Sequence, residues 1–236
     1  MRDGTKTALD SRQLGLALIN TARAGDVEAC SAIISQGADV NWSVGRDIPA
    51  LLCAAQNGNV PLARLLIDAG ADIDIADNSG ARALTWAIVS KVGDEIVKVL
   101  LEAGADPNFS NLGWQGSPLN LAISDKNLSL VRLLVEHGAK MTYVPDRNAP
   151  GALCALQYAV WFGHIDVVRH FMEACDEDFK QVTWDGRTLF DLAKGRPAML
   201  QLLHAWATGV AVRAQIDTQV SDEVVHRLPS IGRGPL

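Results

Sequence analysis

The stretch Gly104-Ala105-Asp106-Pro107-Asn108 decides the fold, because the chain carries it in four versions. The others are Gly37-Ala38-Asp39-Val40-Asn41, Gly70-Ala71-Asp72-Ile73-Asp74 and a weaker Gly138-Ala139-Lys140-Met141-Thr142, and from Gly37 onward the intervals are 33, 34 and 34 residues. A second marker, an apolar residue opening an Ala-containing stretch, recurs as Leu18, Leu51, Leu84, Leu119, Leu156 and Phe190, spaced 33, 33, 35, 37 and 34. Two markers on one period identify an internal repeat, and a period of this length means a stacked array.

Each copy reads as two short helices and an extended turn. In the third, Ala83, Leu84, Ala87 and Ile88 share one helical face, and Ile96, Val97, Leu100 and Leu101 form a second stripe. Gly104 then stands where a left-handed cap ends the helix, and Pro107 prevents its resumption. Gly58 and Gly163 separate the helices of their copies, and Pro61 sits near a helix start, where its missing N–H costs little. A unit this small cannot bury both stripes alone, so neighbouring copies must stack.

The pattern resembles the ankyrin repeat. The resemblance is carried by Ser117-Pro118-Leu119-Asn120-Leu121-Ala122 at the first-helix signature, by Gly163-His164 between helices, and by the Gly-Ala-Asp-x-Asn endings at Asn41 and Asn108. It implies an all-α solenoid of about six helix-turn-helix repeats joined by β-hairpin fingers. It also implies that His164 helps fix its interhelix turn, and that the ends of the first helices line a concave partner-binding groove. Departures are Ala50, Ala83 and Ala155 where the family favours Pro, and Cys175-Asp176-Glu177 in place of Gly-Ala-Asp.

The expected organisation is a lead-in over 1–11, a repeat domain over 12–206 and a partly disordered C-terminal extension over 207–236. Within the domain the copies run 12–42, 43–75, 76–109, 110–143, 144–180 and 181–206, the first and last serving as end caps. Pro145, Asp146, Asn148, Pro150 and Gly151 enlarge one loop and account for the 37-residue interval. With 48% hydrophobic and 20% charged residues, a core is expected and disorder excluded. A net charge of −6 without a basic cluster argues against nucleic acid. No stretch nears the roughly 20 apolar residues of a membrane span, and the first residues lack the apolar run of a secretory signal, so a cytoplasmic monomer with neither membrane nor nucleic-acid partner is expected.

The chain lacks Gly-x-Ser-x-Gly, a Walker-type Gly-Lys-Ser/Thr and Gly-x-Gly-x-x-Gly, and its five His and four Cys show no zinc spacing. No catalytic, cofactor or metal residue is therefore assigned. Asp72, Asp74 and Asp77 look faintly like a calcium loop but miss the required offsets, and solvated carboxylates are the simpler reading. Cys53 and Cys154 lie in first-helix stretches where small apolar groups pack, which favours inert thiols, while Cys175 is less defined. Asp176-Glu177-Asp178 reads as a solvated turn, and Arg132, Arg147, Arg169 and Arg187 as scattered cations.

The aromatics are more informative. Trp86 beside Leu84 and Ala87 is expected in the core, with its indole N–H needing a partner, and Trp206 is expected to seal the last helix. Trp42, Trp114 and Trp184 fall in or beside the fingers, as partner anchors or as staples between neighbours. Trp161 and Phe162 lie off the buried stripe of their helix, where other copies carry the polar pairs Gln56-Asn57 and Ser124-Asp125. Two readings stay open for the pair: hot-spot residues in the groove, or packing under the 143–152 loop. The partner-binding set is thus Trp161, Phe162, Trp114, Trp42, Gln56, Asn57, Ser124 and Asp125, and the function expected is non-enzymatic binding of a protein partner through groove and fingers. The alternatives are an effector or enzyme with unrecognised chemistry in the tail or at a thiol, or a regulatory subunit that inhibits a partner enzyme.

Overall fold

The computed structural model describes residues 10–43, 48–109, 117–141, 153–174 and 186–209. They form helices in pairs: α1 (Ser11–Ala24) with α2 (Val27–Ser35), α3 (Ala50–Gln56) with α4 (Val60–Asp68), α5 (Ala83–Ser90) with α6 (Asp94–Glu102), α7 (Pro118–Ser124) with α8 (Leu128–Glu136), and α9 (Ala155–Phe162) with α10 (Ile165–Ala174). A one-turn α11 (Leu189–Leu192) precedes a further helix, α12, over 197–209. First helices pack on first helices in the succession α1, α3, α5, α7, α9, α11, and second helices on second in the succession α2, α4, α6, α8, α10. The result is a two-layer all-α solenoid.

One continuous core runs through the stack. The marker residues Leu18, Leu51, Leu84, Leu119 and Leu156 are all buried in it, joined from the second layer by Leu62, Leu66, Ile96, Leu100, Leu134 and Phe171. Burying one such side chain is worth about 1.5–3 kcal/mol. The sixth marker differs: Phe190 follows its cap Thr188 in register but stays 37% exposed, its ring 4.9 Å from that of His204. No described repeat covers the outer side of α11.

Local signals set the helix ends. Asp26, Asn59 and Asn127 cap α2, α4 and α8 by accepting from the N–H three residues on. The two asparagines also reach back one repeat, Asn59 Nδ2 donating to Gly25 O at 3.0 Å and Asn127 Nδ2 to Asp94 Oδ1 at 3.1 Å. At each interhelix turn one residue takes a left-handed conformation: Gly25, Gly58, Lys91, Lys126 and Gly163. For Lys91 (φ 54°) and Lys126 (φ 56°) that conformation costs roughly 1–2 kcal/mol each.

Among the described residues the expected β-hairpin fingers are not formed. Among the described residues no strand occurs, and the only sheet-like pairing is an isolated antiparallel bridge between Ala76 and Arg82. The chemistry of the Gly-Ala-Asp-x-Asn segments explains the correction. Asp39, Asp72 and Asp106 each accept from the backbone N–H two residues on, at Asn41, Asp74 and Asn108 (2.9, 3.0 and 2.9 Å). Such Asx turns satisfy within the loop donors that a hairpin would have spent on a ladder.

In the longest described loop, Asp77 does the same on a larger scale. Its Oδ1 accepts from Ser79 N (2.8 Å), Ser79 Oγ (2.6 Å) and Ala81 N (3.0 Å), while Oδ2 accepts from the indole N–H of Trp86 at 2.9 Å. Trp86 thereby finds the partner its burial against the core requires. Asp77 is committed to the loop and Asp74 is ion-paired with Arg82, so neither is the freely solvated carboxylate that the sequence suggested. Among the described residues no group of three or more His, Cys, Asp or Glu is placed to hold a metal ion.

Candidate functional site

The C-terminal ends of the first helices form a row of exposed positions in common register. Its occupants are Arg23-Ala24, Gln56-Asn57, the less exposed Val89-Ser90, Ser124-Asp125 and Trp161-Phe162, each pair just before the left-handed residue of its turn. Asn57 is spent within the stack, its Nδ2 donating to Arg23 O at 3.1 Å. Asp125 is held by Lys91 Nζ at 2.7 Å. Gln56 and Ser124 are exposed, with Ser124 Oγ donating to Leu121 O at 3.1 Å.

The aromatic pair stands out in this row. Trp161 is 43% exposed and Phe162 46% exposed, though both belong to a helix whose Leu156, Ala159 and Val160 are buried. Phe162 lies between Tyr158, with ring centroids 4.6 Å apart, and His164, stacked at 5.8 Å with planes 14° apart. The guanidinium carbon of Arg187 sits 5.3 Å from the Trp161 ring centroid, within cation–π range. Arg196 reaches in from the next repeat, its Nε 3.1 Å from where a Cβ on Gly163 would be. The pair is exposed partly because α11 ends at Leu192 after one turn, and the following Ala193 to Arg196 segment replaces the helical turn that flanks the other first helices.

His164 is a partly buried imidazole in this cluster. Burial, and then the charge of Lys126, lower its pKa below the ordinary histidine value, so it is neutral near pH 7. Its Nε2 is buried and makes no hydrogen bond.

The remaining expected site residues part ways. Trp42 is half-buried with its indole over Gly15 of α1: a Cβ there would meet the ring at 2.3 Å. That contact packs one face of the indole against its own repeat and leaves the residue part-exposed. Trp114, Trp184, Cys175, the acidic 176–178 turn and the 143–152 loop lie outside the described residues. Cys30, Cys53 and Cys154 are free and buried, and burial raises the pKa of each above the ordinary thiol value, the opposite of what a nucleophile needs. Two clefts lie on the described surface. One of about 470 Å³ lies between α6 and α8, lined by side chains of both signs including Asp94, Lys98, Arg132 and Glu136. The other, about 200 Å³, lies beneath the Lys91–Asp125 pair.

Paired helices stacked in two layers, with an exposed row along the ends of the first helices, define a repeat scaffold whose product is a surface. A family model described as ankyrin repeats (three copies) matches residues 18–111 and 95–183. The chain belongs to the ankyrin-repeat family, whose repeats are protein-binding scaffolds. It is similar to the ankyrin repeat and KH domain-containing protein mask-1 of Caenorhabditis elegans, at 26% identity over 67% of this chain and 6% of that protein. A putative ankyrin repeat-containing protein of Treponema pallidum is 33% identical over 55% of this chain and 43% of its own length. A putative ankyrin repeat protein of Acanthamoeba polyphaga mimivirus is 25% identical over 69% of this chain and 22% of its own. In each case the match spans less than two thirds of the relative. No described helix is long and apolar enough to cross a membrane.

Proposed function

We propose that this chain binds a protein partner with Trp161 and Phe162 at the centre of the contact, the repeat array over 12–206 acting as one binding domain. The observation that carries the reading is the adjacent pair of large aromatics, 43% and 46% exposed, where the second and fourth repeats place the polar pairs Gln56-Asn57 and Ser124-Asp125 and no other repeat places an aromatic residue. Aromatic residues dominate the energetics of protein interfaces, at 2 kcal/mol or more for a central one, on the order of thirtyfold in affinity. Gln56 and Ser124 extend the same row toward the earlier repeats and are proposed as its polar rim, with Asn57 and Asp125 positioned by their bonds within the stack. Trp42, whose ring packs on Gly15, and Trp114 are proposed to add secondary contacts. The protein is proposed to work as a monomer in the cytoplasm.

The test is quantitative capture of proteins from source lysate by the wild-type chain and by Trp161→Ala/Phe162→Ala, with thermal melting of both. The expected result is loss of specific partners with a melting temperature lowered only modestly, by less than truncation of a fully buried aromatic would lower it. Undiminished capture by the double variant would refute the reading.

A further inference from the structure

The outer face of the second-helix layer carries two ordered rows of opposite charge. Arg64, Lys98, Arg132 and Arg169 each stand four residues after the first residue of α4, α6, α8 and α10. Asp68, Glu102, Glu136 and Glu173 stand four residues further on, and all of these side chains are exposed. The four helices pack in succession, so stacking turns cations that look scattered in the sequence into a line, with a line of carboxylates beside it. The rows begin at α4, because α2 has Ser31 and Ser35 in the same places.

Helix stability does not account for the arrangement. A carboxylate in the last turn faces the negative end of the macrodipole, and a cation four residues before an acid is the poorer order for a pair along a helix. Lys98 and Glu102 approach to 3.9 Å, and Arg64 reaches across to Glu95 at 3.9 Å, both pairs long and open to water. Among the described residues Arg132, Glu136, Arg169 and Glu173 make no ion pair. The face is striped rather than basic: Glu95 and Asp166 are exposed in the first turns of α6 and α10, next to the partly buried Asp94, so carboxylates outnumber cations. The acidic row would repel the phosphates of a nucleic acid.

We propose that this face docks a helix of a partner protein that carries an acidic row and a basic row at seven-residue spacing. That helix lies along the stack and over the cleft of about 470 Å³ between α6 and α8, whose walls hold Lys98, Arg132 and Glu136. Charge complementarity and spacing select the occupant. Packed helices lie about 8–10 Å apart, and seven residues of an α-helix advance about 10.5 Å while returning to nearly the same face. An extended strand covers that distance in three residues of about 3.3 Å each, but its third residue points to the opposite side, so it would meet only alternate repeats. Opposed rows set register and exclude partners of a single charge sign. The surface lies on the second-helix layer, apart from Trp161 and Phe162 on α9, and goes beyond the function proposed above.

The experiment titrates the full chain with a labelled, alanine-rich helical peptide of about four heptads carrying Glu on one flank and Lys on the other at every seventh residue. The control peptide has the same composition in scrambled order. By fluorescence anisotropy the patterned peptide should bind roughly tenfold tighter or more, and the difference should shrink between about 0.1 M and about 1 M salt as the screening length falls from about 10 Å to about 3 Å. Arg132→Glu should weaken it roughly threefold to tenfold. Arg12→Glu, the same change of net charge at an exposed site on α1, should leave it unchanged, as should Trp161→Ala/Phe162→Ala. Arg132 is exposed and unpaired, so its variant should melt with wild type. Equal binding of the two peptides, or equal losses with Arg132→Glu and Arg12→Glu, overturns the proposal. Binding lost with the two rings instead places the peptide in the groove and overturns it as well. Self-association of the chain that Arg132→Glu abolishes would give the face to a second copy and overturn the partner assignment.

Discussion

Asn108 clasps Gly138 across the boundary between two repeats. Its Nδ2 donates to Gly138 O at 3.0 Å while its Oδ1 accepts from Lys140 N at 2.8 Å. Asn41 repeats the arrangement with Gly70 O at 3.2 Å and Asp72 N at 2.7 Å. At the intervening boundary Asp74, which has no side-chain donor, accepts from Asp106 N at 3.4 Å and takes an ion pair from Arg82 at 3.0 Å. One amide side chain can therefore fix the register of successive loops without a sheet.

Replacing Asn108 by Ala should accordingly cost about 1–2 kcal/mol, at about 1 kcal/mol net for each of two hydrogen bonds. The site is exposed, so water replaces part of what is lost, and the cost should stay below that of a core truncation. Denaturant titration measures the change, and hydrogen exchange should show it at Lys140 N–H. A variant as stable as wild type would mean that the clasp merely accompanies the stacking.

Asp77 should make the loop between the second and third repeats sensitive to acid. Burial pushes its carboxyl up, but the hydrogen bonds from Ser79, Trp86 and Ala81 outweigh that and hold it below the ordinary carboxylate value. A depressed carboxylate stabilises the fold above its unfolded-state pKa of about 4, and that contribution disappears as pH falls through the folded value. Asp77→Asn should thus be less stable than wild type at pH 7, with the gap closing as pH falls below about 4. Melting curves from pH 7 downward, read with Trp fluorescence, give the answer. A gap that stays constant with pH would show that the charge is not what the loop uses.

How much of this was legible in the sequence depends on how local the signal is. The repeat period, the helix pairs and the marker leucines show plainly, because Gly-Ala-Asp and the apolar stripes are contiguous patterns that burial obeys. The left-handed turn residue shows at Gly58 and Gly163 but not at Lys91 or Lys126, since lysine carries no backbone signature. The hairpin expectation failed because Asp39, Asp72 and Asp106 close their own loops, a competition between side chain and ladder that residue spacing does not rank. The exposure of Trp161 and Phe162 follows from their place off the stripe. The contacts of Arg187 with Trp161 and of Arg196 with Gly163 do not, because they form only after the following repeat has stacked.

Because the stack carries one continuous core, damage should spread. Leu119, 1% exposed in α7, packs where α5, α7 and α9 adjoin, and Leu119→Ala should cost about 2–5 kcal/mol. Hydrogen exchange should speed up in α5 and α9 as well as in α7, since each repeat is held mainly by its neighbours. Loosening confined to α7 would contradict a one-dimensional stack.

Lys126 offers a test in the stabilising direction. At φ 56° its side chain pays for a conformation that glycine adopts freely in the matching turns at Gly25, Gly58 and Gly163. Lys126→Gly should gain up to about 1 kcal/mol, the relief of roughly 1–2 kcal/mol less the extra freedom of glycine in the unfolded chain. At this chain length that is a rise in melting temperature of about 2–4 °C. No rise would mean that contacts of the lysine stem offset the strain.

The last test separates surface from core within one repeat. Phe162 and Phe171 belong to the paired helices α9 and α10, but the first is 46% exposed and the second fully buried, packed in the core. Truncating Phe171 to Ala leaves a cavity and forfeits the whole transfer term, so it should cost about 3–5 kcal/mol. Truncating Phe162 leaves no closed cavity, and a ring already half in water forfeits only part of its transfer energy together with contacts to Tyr158 and His164, roughly 1–2 kcal/mol. Trp161→Ala should fall in the same lower range, because Arg187 covers its ring without enclosing it. Urea denaturation of the three variants gives the comparison directly. If Phe162→Ala or Trp161→Ala proved as costly as Phe171→Ala, the pair would be core held under a neighbouring segment, and the binding site would have to be sought along the rest of the row, at Gln56 and Ser124.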